Sequence, residues 1–155
     1  MQTKRTLLVS ATLWIAAAAL SLAASAQMGT WKLNESKSKF SSKARNHTVI
    51  YSEAKRDMMK VEVKGVDKDG KPVEWTWMGH FDGKPAKVKG SPIMDMIAYK
   101  AMDAQTNELT GTKDGKVVFT GKVKVAKDGK SRIVTNTITD ADGKKHTDKA
   151  YYDKQ

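Results

Sequence analysis

The sequence predicts an all-β chain, an antiparallel up-and-down β-barrel of about ten short strands. Three observations predict it. The tripeptide Asp-Gly-Lys occurs five times, at Asp69-Gly70-Lys71, Asp82-Gly83-Lys84, Asp114-Gly115-Lys116, Asp128-Gly129-Lys130 and Asp142-Gly143-Lys144. Asp-Gly between alternating runs is a strong hairpin signal, because type I′ turns and G1 bulges need positive φ and Gly adopts it at little cost. The last three copies stand 14 residues apart, which leaves room for one strand between turns. Second, the segments between turns alternate apolar and polar residues with period two, the pattern of a half-buried strand. Third, no long helical periodicity interrupts them, and joining the first strand to the last would remove exposed edges. The strands share no common pattern, so the repetition belongs to the turns.

The elements follow in order. Gly29-Thr30-Trp31-Lys32-Leu33 alternates as a first strand. Asn34 to Asn46 is rich in Ser and Lys and reads as a loop with one helical turn around Glu35–Lys39. His47 to Glu53 places Val49 and Tyr51 on one face and Ile50 on the other; Met58 to Val66 sets Met59, Val61 and Val63 against Lys60, Glu62 and Lys64. Val73, Trp75, Trp77, Gly79 and Phe81 share a face and make the most aromatic strand. Lys84 to Pro92 is short, Lys-rich and edge-like. Ile93 to Met102 carries apolar residues on both faces, which suggests cover on both sides, and Thr106 to Lys113 is a weak strand around Leu109. Val117, Phe119, Gly121, Val123 and Val125 form the next face, Arg132 to Thr139 is Thr-rich, and Lys145 to Asp153 closes the chain.

Residues 1–26 read as a secretory signal peptide. Lys4 and Arg5 supply the basic start, Thr6 to Leu22 is mostly apolar, and Ala24-Ser25-Ala26 is a small-residue cleavage pattern that places the mature start at Gln27. The expectation is a periplasmic or secreted chain with no transmembrane segment after cleavage. Residues 27–155 then form one barrel domain, long enough for a core without staples. The chain has no Cys, which excludes disulfides, thiol chemistry and Cys metal sites.

The formal charge is +11, or +9 without Lys4 and Arg5. Interleaved acidic residues and turn lysines describe a solvated surface that discourages edge pairing. The same charge would also suit an anionic envelope partner such as a lipid headgroup or an acidic polysaccharide. Nucleic acid is not expected, since no basic cluster is interleaved with aromatics. A monomer is expected.

Gly29-Thr30-Trp31-Lys32-Leu33 at the head of a meander resembles the Gly-x-Trp signature of the calycins, the lipocalins and fatty-acid-binding proteins. The chain is also similar to a broad group of small secreted bacterial proteins that begin Gly-Thr-Trp-Lys-Leu-Asn and end in Tyr-Asp-Lys, here Tyr152-Asp153-Lys154. The resemblance implies a lipocalin-like barrel with room for an apolar ligand. It departs from the fatty-acid-binding pattern in two places. Glu35 to Asn46 is too short for a two-helix lid, and Lys149-Ala150-Tyr151-Tyr152 stands where that family has an Arg-x-Tyr pair.

Trp75, Trp77, Phe119, Met59, Val61 and Tyr99 are the expected lining of a pocket for a small hydrophobic or amphipathic molecule, with Arg132 or Tyr152 at its polar end. The alternative for the same aromatics is a filled core, with the outer surface docking an anionic partner. His47, His80 and His146 share no ligand spacing. Met78-x-His80 and Met94-x-Met96 would put soft ligands on one strand face, as a Cu(I) site needs, but Met as core filler explains them more simply. Asp67-x-Asp69-Gly70 and Asp140-x-Asp142-Gly143 lack the later acidic ligands of a calcium loop and read as turns. Asn46-His47-Thr48 matches a glycosylation acceptor, discounted because the leader looks bacterial. No nucleophile elbow, metalloprotease helix or Cys nucleophile is present, and nothing in the sequence places Glu74 beside Asp95, so no catalytic residue, metal or cofactor is expected and the chain is read as a non-enzyme.

Overall fold

The computed structural model describes residues 24–155, so most of the signal-peptide reading lies outside the described residues. Ten strands follow a short helical turn at 24–27: β1 (Gly29–Lys39), β2 (Arg45–Glu53), β3 (Met59–Val66), β4 (Pro72–Gly79), β5 (Asp82–Lys89), β6 (Met96–Ala101), β7 (Thr106–Lys113), β8 (Lys116–Val125), β9 (Ser131–Thr139) and β10 (Lys145–Lys154). Each pairs antiparallel with the next, and β1 pairs with β10 through Trp31↔Lys154 and Leu33↔Tyr152. The result is a closed up-and-down barrel, as the alternation and the turns predict. Period-two strands have one apolar face, and closure turns that face inward on every strand.

The Asp-Gly turns use two devices. Asp114 (φ 49°) and Gly115 (φ 76°) form a two-residue type I′ turn between Lys113 and Lys116. At the other hairpins an i→i+3 turn is followed by a positive-φ glycine: Gly70 N–H donates to Asp67 O, Gly129 to Ala126 O and Gly143 to Asp140 O. Asp67 Oδ1 also accepts the N–H groups of Asp69 and Lys71, both at 2.9 Å. Asp82-Gly83-Lys84 is the exception. The chain has already reversed at His80–Phe81, and Gly83 (φ 83°) lies inside β5 where its pairing with β6 shifts register.

Three expectations are corrected. The Asn34–Lys39 stretch is not a loop with a helical turn but the second half of β1. Its polar side chains replace ladder bonds across a bulge: Ser38 Oγ accepts Tyr151 N–H at 2.9 Å and donates to Asn34 O at 2.7 Å. The strand expected at Ile93 begins only at Met96, and it is covered on one side, with Ile97 and Tyr99 inside and Met96, Ala98 and Lys100 outside. Val117 leaves the apolar face, 53% exposed, because a bulge opposite Gly111 and Thr112 shifts the phase of β8.

One end of the barrel carries the connections at 54–58, 80–81, 102–105 and 126–130 together with the 24–27 turn; the other carries those at 40–44, 67–71, 90–95, 114–115 and 140–144. The first end is sealed. Trp31, Tyr51, Met59, Val61, Trp77, Phe81, Ile97 and Tyr99 are all buried there. The second is looser, with inward Leu33, Val73, Phe119, Val134, Asn136 and Ile138 only half-buried.

Two predictions follow from the turns. The turn Lys55–Met58 puts Arg56 (φ 61°, ψ 41°) and Asp57 (φ 57°) in the left-handed region, which costs an L-residue about 1–2 kcal/mol each. Asp57→Gly should therefore raise unfolding free energy by about 0.5–1 kcal/mol after the extra unfolded-state entropy of Gly is subtracted; a loss in denaturant melts would count against the strain.

The second concerns acid. Asp140 Oδ2 lies 2.9 Å from His146 Nε2, and Oδ1 accepts the N–H groups of Asp142 and Lys144 at 3.0 and 2.8 Å. The His146 hydrogen bond first, then these backbone bonds, hold the Asp140 carboxyl below the ordinary carboxylate range. A lowered folded-state pKa gives stability that is present above the unfolded value of about 3.9 and lost as pH falls through the folded value. Amide exchange at Asp142 and Lys144 should rise below pH of about 4, and Asp140→Asn should flatten that rise. An unchanged profile in the variant would refute the assignment.

Candidate ligand site inside the barrel

The sealed end is built around one cation. Arg132, at the start of β9, points inward and is 2% exposed. Its guanidinium carbon lies 4.7 Å from the Trp31 ring centroid, 4.9 Å from Tyr152 and 5.0 Å from Tyr51. Nη1 donates to Gln27 Oε1 at 2.7 Å, and Trp31 Nε1 donates to the Gln27 carbonyl at 2.8 Å. Among the described residues no carboxylate pairs with Arg132. Cation–π attraction of up to about 2 kcal/mol per desolvated ring offsets part of the cost of burying the charge. Tyr51 joins this group to a second cluster: Phe81 stacks on Tyr99 with centroids 5.1 Å apart, and Trp77 lies 4.5 Å from Tyr99.

Next to this packed end lies a cavity of about 60 Å³. Its walls are apolar at Val49, Val63, Trp75, Leu109, Phe119, Val123 and Val134, with polar atoms from Asn46, Tyr51, Tyr99, Arg132, Asn136 and Tyr152. Two inward glycines make the space. A Cβ on Gly111 would lie 2.1 Å from the Phe119 ring, and one on Gly121 would lie 2.3 Å from Asn136 Oδ1. Glycine at both positions lets Phe119 and Asn136 fold across the neighbouring strands. Asn136 Oδ1 and Arg132 Nε are buried with no hydrogen-bond partner among the described residues. A buried polar atom left unpaired costs about 1–3 kcal/mol, so this cavity wants a polar guest.

Two of its phenols, Tyr99 and Tyr152, are held in the neutral form. Burial, then Tyr51, pushes the Tyr99 hydroxyl well above its usual range. Burial pushes Tyr152 up to about 12, against the opposing pull of Arg132. Tyr152 Oη donates to Asn46 O at 2.9 Å. The cavity wall is therefore one cation with neutral donors and acceptors, a setting for an acidic or strongly polar group.

The structure divides the residues expected to line a pocket. Trp75, Tyr99, Phe119, Arg132 and Tyr152 surround the cavity. Met59, Val61 and Trp77 do not; they fill the sealed end, where Trp77 Nε1 donates to Ile97 O at 3.0 Å. Sequence reasoning missed Asn46 and Asn136. The signal for Asn136 was its parity with Arg132 on a strand whose apolar alternation is blurred by threonines.

The other motifs do not assemble. Met94 is buried while Met96 is half-exposed on the outer face, so the two do not share a side. Met78 is 44% exposed, and His80 Nε2 lies 3.1 Å from Arg56 O. His47, turned outward by a bulge in β2, lies 3.6 Å from Glu35, and His146 contacts Asp140. Glu74 faces Lys64, whereas Asp95 Oδ2 accepts Asp114 N–H. Among the described residues no three His, Asp or Glu side chains are placed to hold a metal ion. A wider hollow of about 550 Å³ on the outer wall, over Thr110, Thr120, Thr135 and Thr137, is open to solvent.

No protein-family model matches the chain, and no curated protein matches it. The fold is similar to the structure of EF1p2_mFAP2b bound to DFHBI, at 13% identity and a TM-score of 0.49, covering 88% of this chain and 99% of that one. It is also similar to a redesigned beta barrel, mFAP1, bound to DFHBI, at 14% identity and a TM-score of 0.44, covering 86% of this chain and 98% of that one.

Gln27 and Arg132 should act as one unit. In a double-mutant cycle of Gln27→Ala and Arg132→Met, unfolding free energies should show a coupling of about 0.5–3 kcal/mol. Additive effects would dissolve the proposed tie between the 24–27 turn and β9.

Proposed function

We propose that this barrel is a non-enzymatic binding protein, exported to the periplasm or the medium, for a small amphipathic molecule with an acidic or strongly polar end. The observation that carries the reading is the pair of unpartnered buried atoms, Asn136 Oδ1 and Arg132 Nε, beside one cavity otherwise walled by apolar side chains. The polar end of the ligand enters the cavity and meets Arg132, Asn136 and the neutral phenols of Tyr99 and Tyr152. Its apolar part lies against Trp75 and Phe119 toward the looser end of the barrel, where the inner wall is only half-buried. The size is a constraint. A cavity of 60 Å³ holds about two waters at roughly 30 Å³ each, against the several hundred Å³ of a drug-sized pocket. The guest is therefore a compact molecule, or one whose tail displaces Phe119.

The filled end favours a second reading, in which the barrel is a scaffold and the lysine-rich exterior docks an anionic envelope component. Salt separates them, because a charge-driven complex weakens as ionic strength rises while a buried ligand is screened much less.

Native mass spectrometry of protein purified gently from a bacterial envelope should find a bound small molecule released on unfolding. Asn136→Leu should then lower occupancy at least tenfold while leaving the empty barrel as stable or up to about 1–3 kcal/mol more stable, because it removes an unpaired buried amide. Trp75→Ala should weaken binding in a protein that remains folded by circular dichroism. Full occupancy in both variants would sink the site.

A further inference from the structure

The buried contact to Arg132 at the sealed end, 2.7 Å long, belongs to the residue that the leader reading makes the first of the mature chain. Cleavage after Ala26 creates an N-terminal glutamine at Gln27. Gln27 is 1% exposed, and its two side-chain polar atoms and its carbonyl have unequal fates. Oε1 accepts from Arg132 Nη1, and the main-chain carbonyl accepts from Trp31 Nε1. Nε2 is buried with no partner.

Cleavage would free an α-amine at this position. At neutral pH that amine is mostly an ammonium, since its ordinary pKa is about 7.7–8.0. The ammonium would belong to the residue whose side chain accepts from the buried Arg132 guanidinium, which has no carboxylate partner among the described residues. Like charges in a poorly hydrated site repel, and each is costly there without a counter-ion.

Glutamine is the side chain that can remove this charge by itself. We propose that Gln27 of the exported chain is a modification site, cyclised to pyroglutamate, and that the neutral lactam caps the sealed end of the barrel. The proposal rests on the export reading of residues 1–26. The unprotonated α-nitrogen attacks the side-chain Cδ; the N–Cδ bond forms, the Cδ–Nε2 bond breaks, and the amine proton leaves with Nε2 as ammonia. No oxidant or co-reactant is needed. The product keeps a carbonyl oxygen for Arg132 and the main-chain carbonyl for Trp31. The atom it loses is Nε2, the one atom of this side chain for which the fold supplies no partner. Loss of Ala24–Ala26 gives the new terminus the freedom to close the ring, because the bond from Met28 N–H to Ser25 O goes with them.

The test uses the full chain expressed in a bacterium that exports it, recovered from the envelope or medium and analysed by intact mass and N-terminal peptide fragmentation. The expected result is a chain that starts at position 27 and is lighter by one ammonia than the Gln27 form. It should resist stepwise N-terminal degradation until treated with a pyroglutamyl peptidase. A chain that starts at Gln27 and keeps a free amine after prolonged incubation overturns cyclisation while leaving the export reading intact. A chain that starts elsewhere, or retains residues 1–26, overturns the proposal through the export reading.

Discussion

A buried guanidinium that has no carboxylate partner among the described residues organises this barrel. From β9, Arg132 touches side chains on the next three strands around the wall: Tyr152 on β10, Trp31 on β1 and Tyr51 on β2. Those strands include the β1–β10 seam at which the barrel closes. Because the cation is planar and carries donors on its edge, it offers a flat face to rings while its edge binds Gln27. The 24–27 turn is thereby drawn over the end, and Trp31 is fixed by both its ring face and its Nε1–H. Remove the charge and the packing around it loses its reason for this geometry; remove the rings and the charge is left uncompensated.

The same cation polarises the interior. With the upper half filled by aromatics and the lower half lined by half-buried residues, two buried polar atoms without partners, Arg132 Nε and Asn136 Oδ1, lie at the boundary between the two. Gly111 and Gly121 place that boundary, since any side chain there would collide with Phe119 or Asn136. The packed end and the cavity are thus different parts of the barrel, which is why the proposed site can be altered at Asn136 away from the sealed end.

Most of the fold was legible in the sequence, because turn chemistry and period-two alternation are local. The I′ turn at Asp114-Gly115 and the strand Met59–Val63 follow from their own residues. What was illegible depended on partners far along the chain. Asn34–Lys39 has no strand pattern, yet Ser38 finds Tyr151 across the closing seam and the ladder continues through its hydroxyl. Asp82-Gly83-Lys84 has the same sequence as the hairpin turns but becomes a bulge, since the chain has already reversed at His80–Phe81. For the site, Trp75, Tyr99 and Phe119 could be placed from parity and side-chain type, whereas Arg132 was singled out by its chemistry alone, on a strand whose alternation left its direction open. Asn46 and Asn136 could not be placed, because a polar residue on a poorly alternating strand does not declare its face.

Trp77 explains why an aromatic strand over-predicts a pocket. The β4–β5 seam is joined by only two register pairs, Thr76↔Lys89 and Trp77↔Val88. Trp77 reaches past β5 to give its Nε1–H to Ile97 O on β6, and its ring packs on Tyr99. A side-chain hydrogen bond and ring contacts therefore supply cohesion where the backbone ladder is sparse. The space such a ring occupies cannot also be ligand space, since a seam with few ladder bonds depends on the contacts that remain. Trp75, two residues earlier on the same face, lies beyond the aromatic cluster and borders the cavity. Of two tryptophans with the same parity on one strand, one closes the wall and the other borders the cavity.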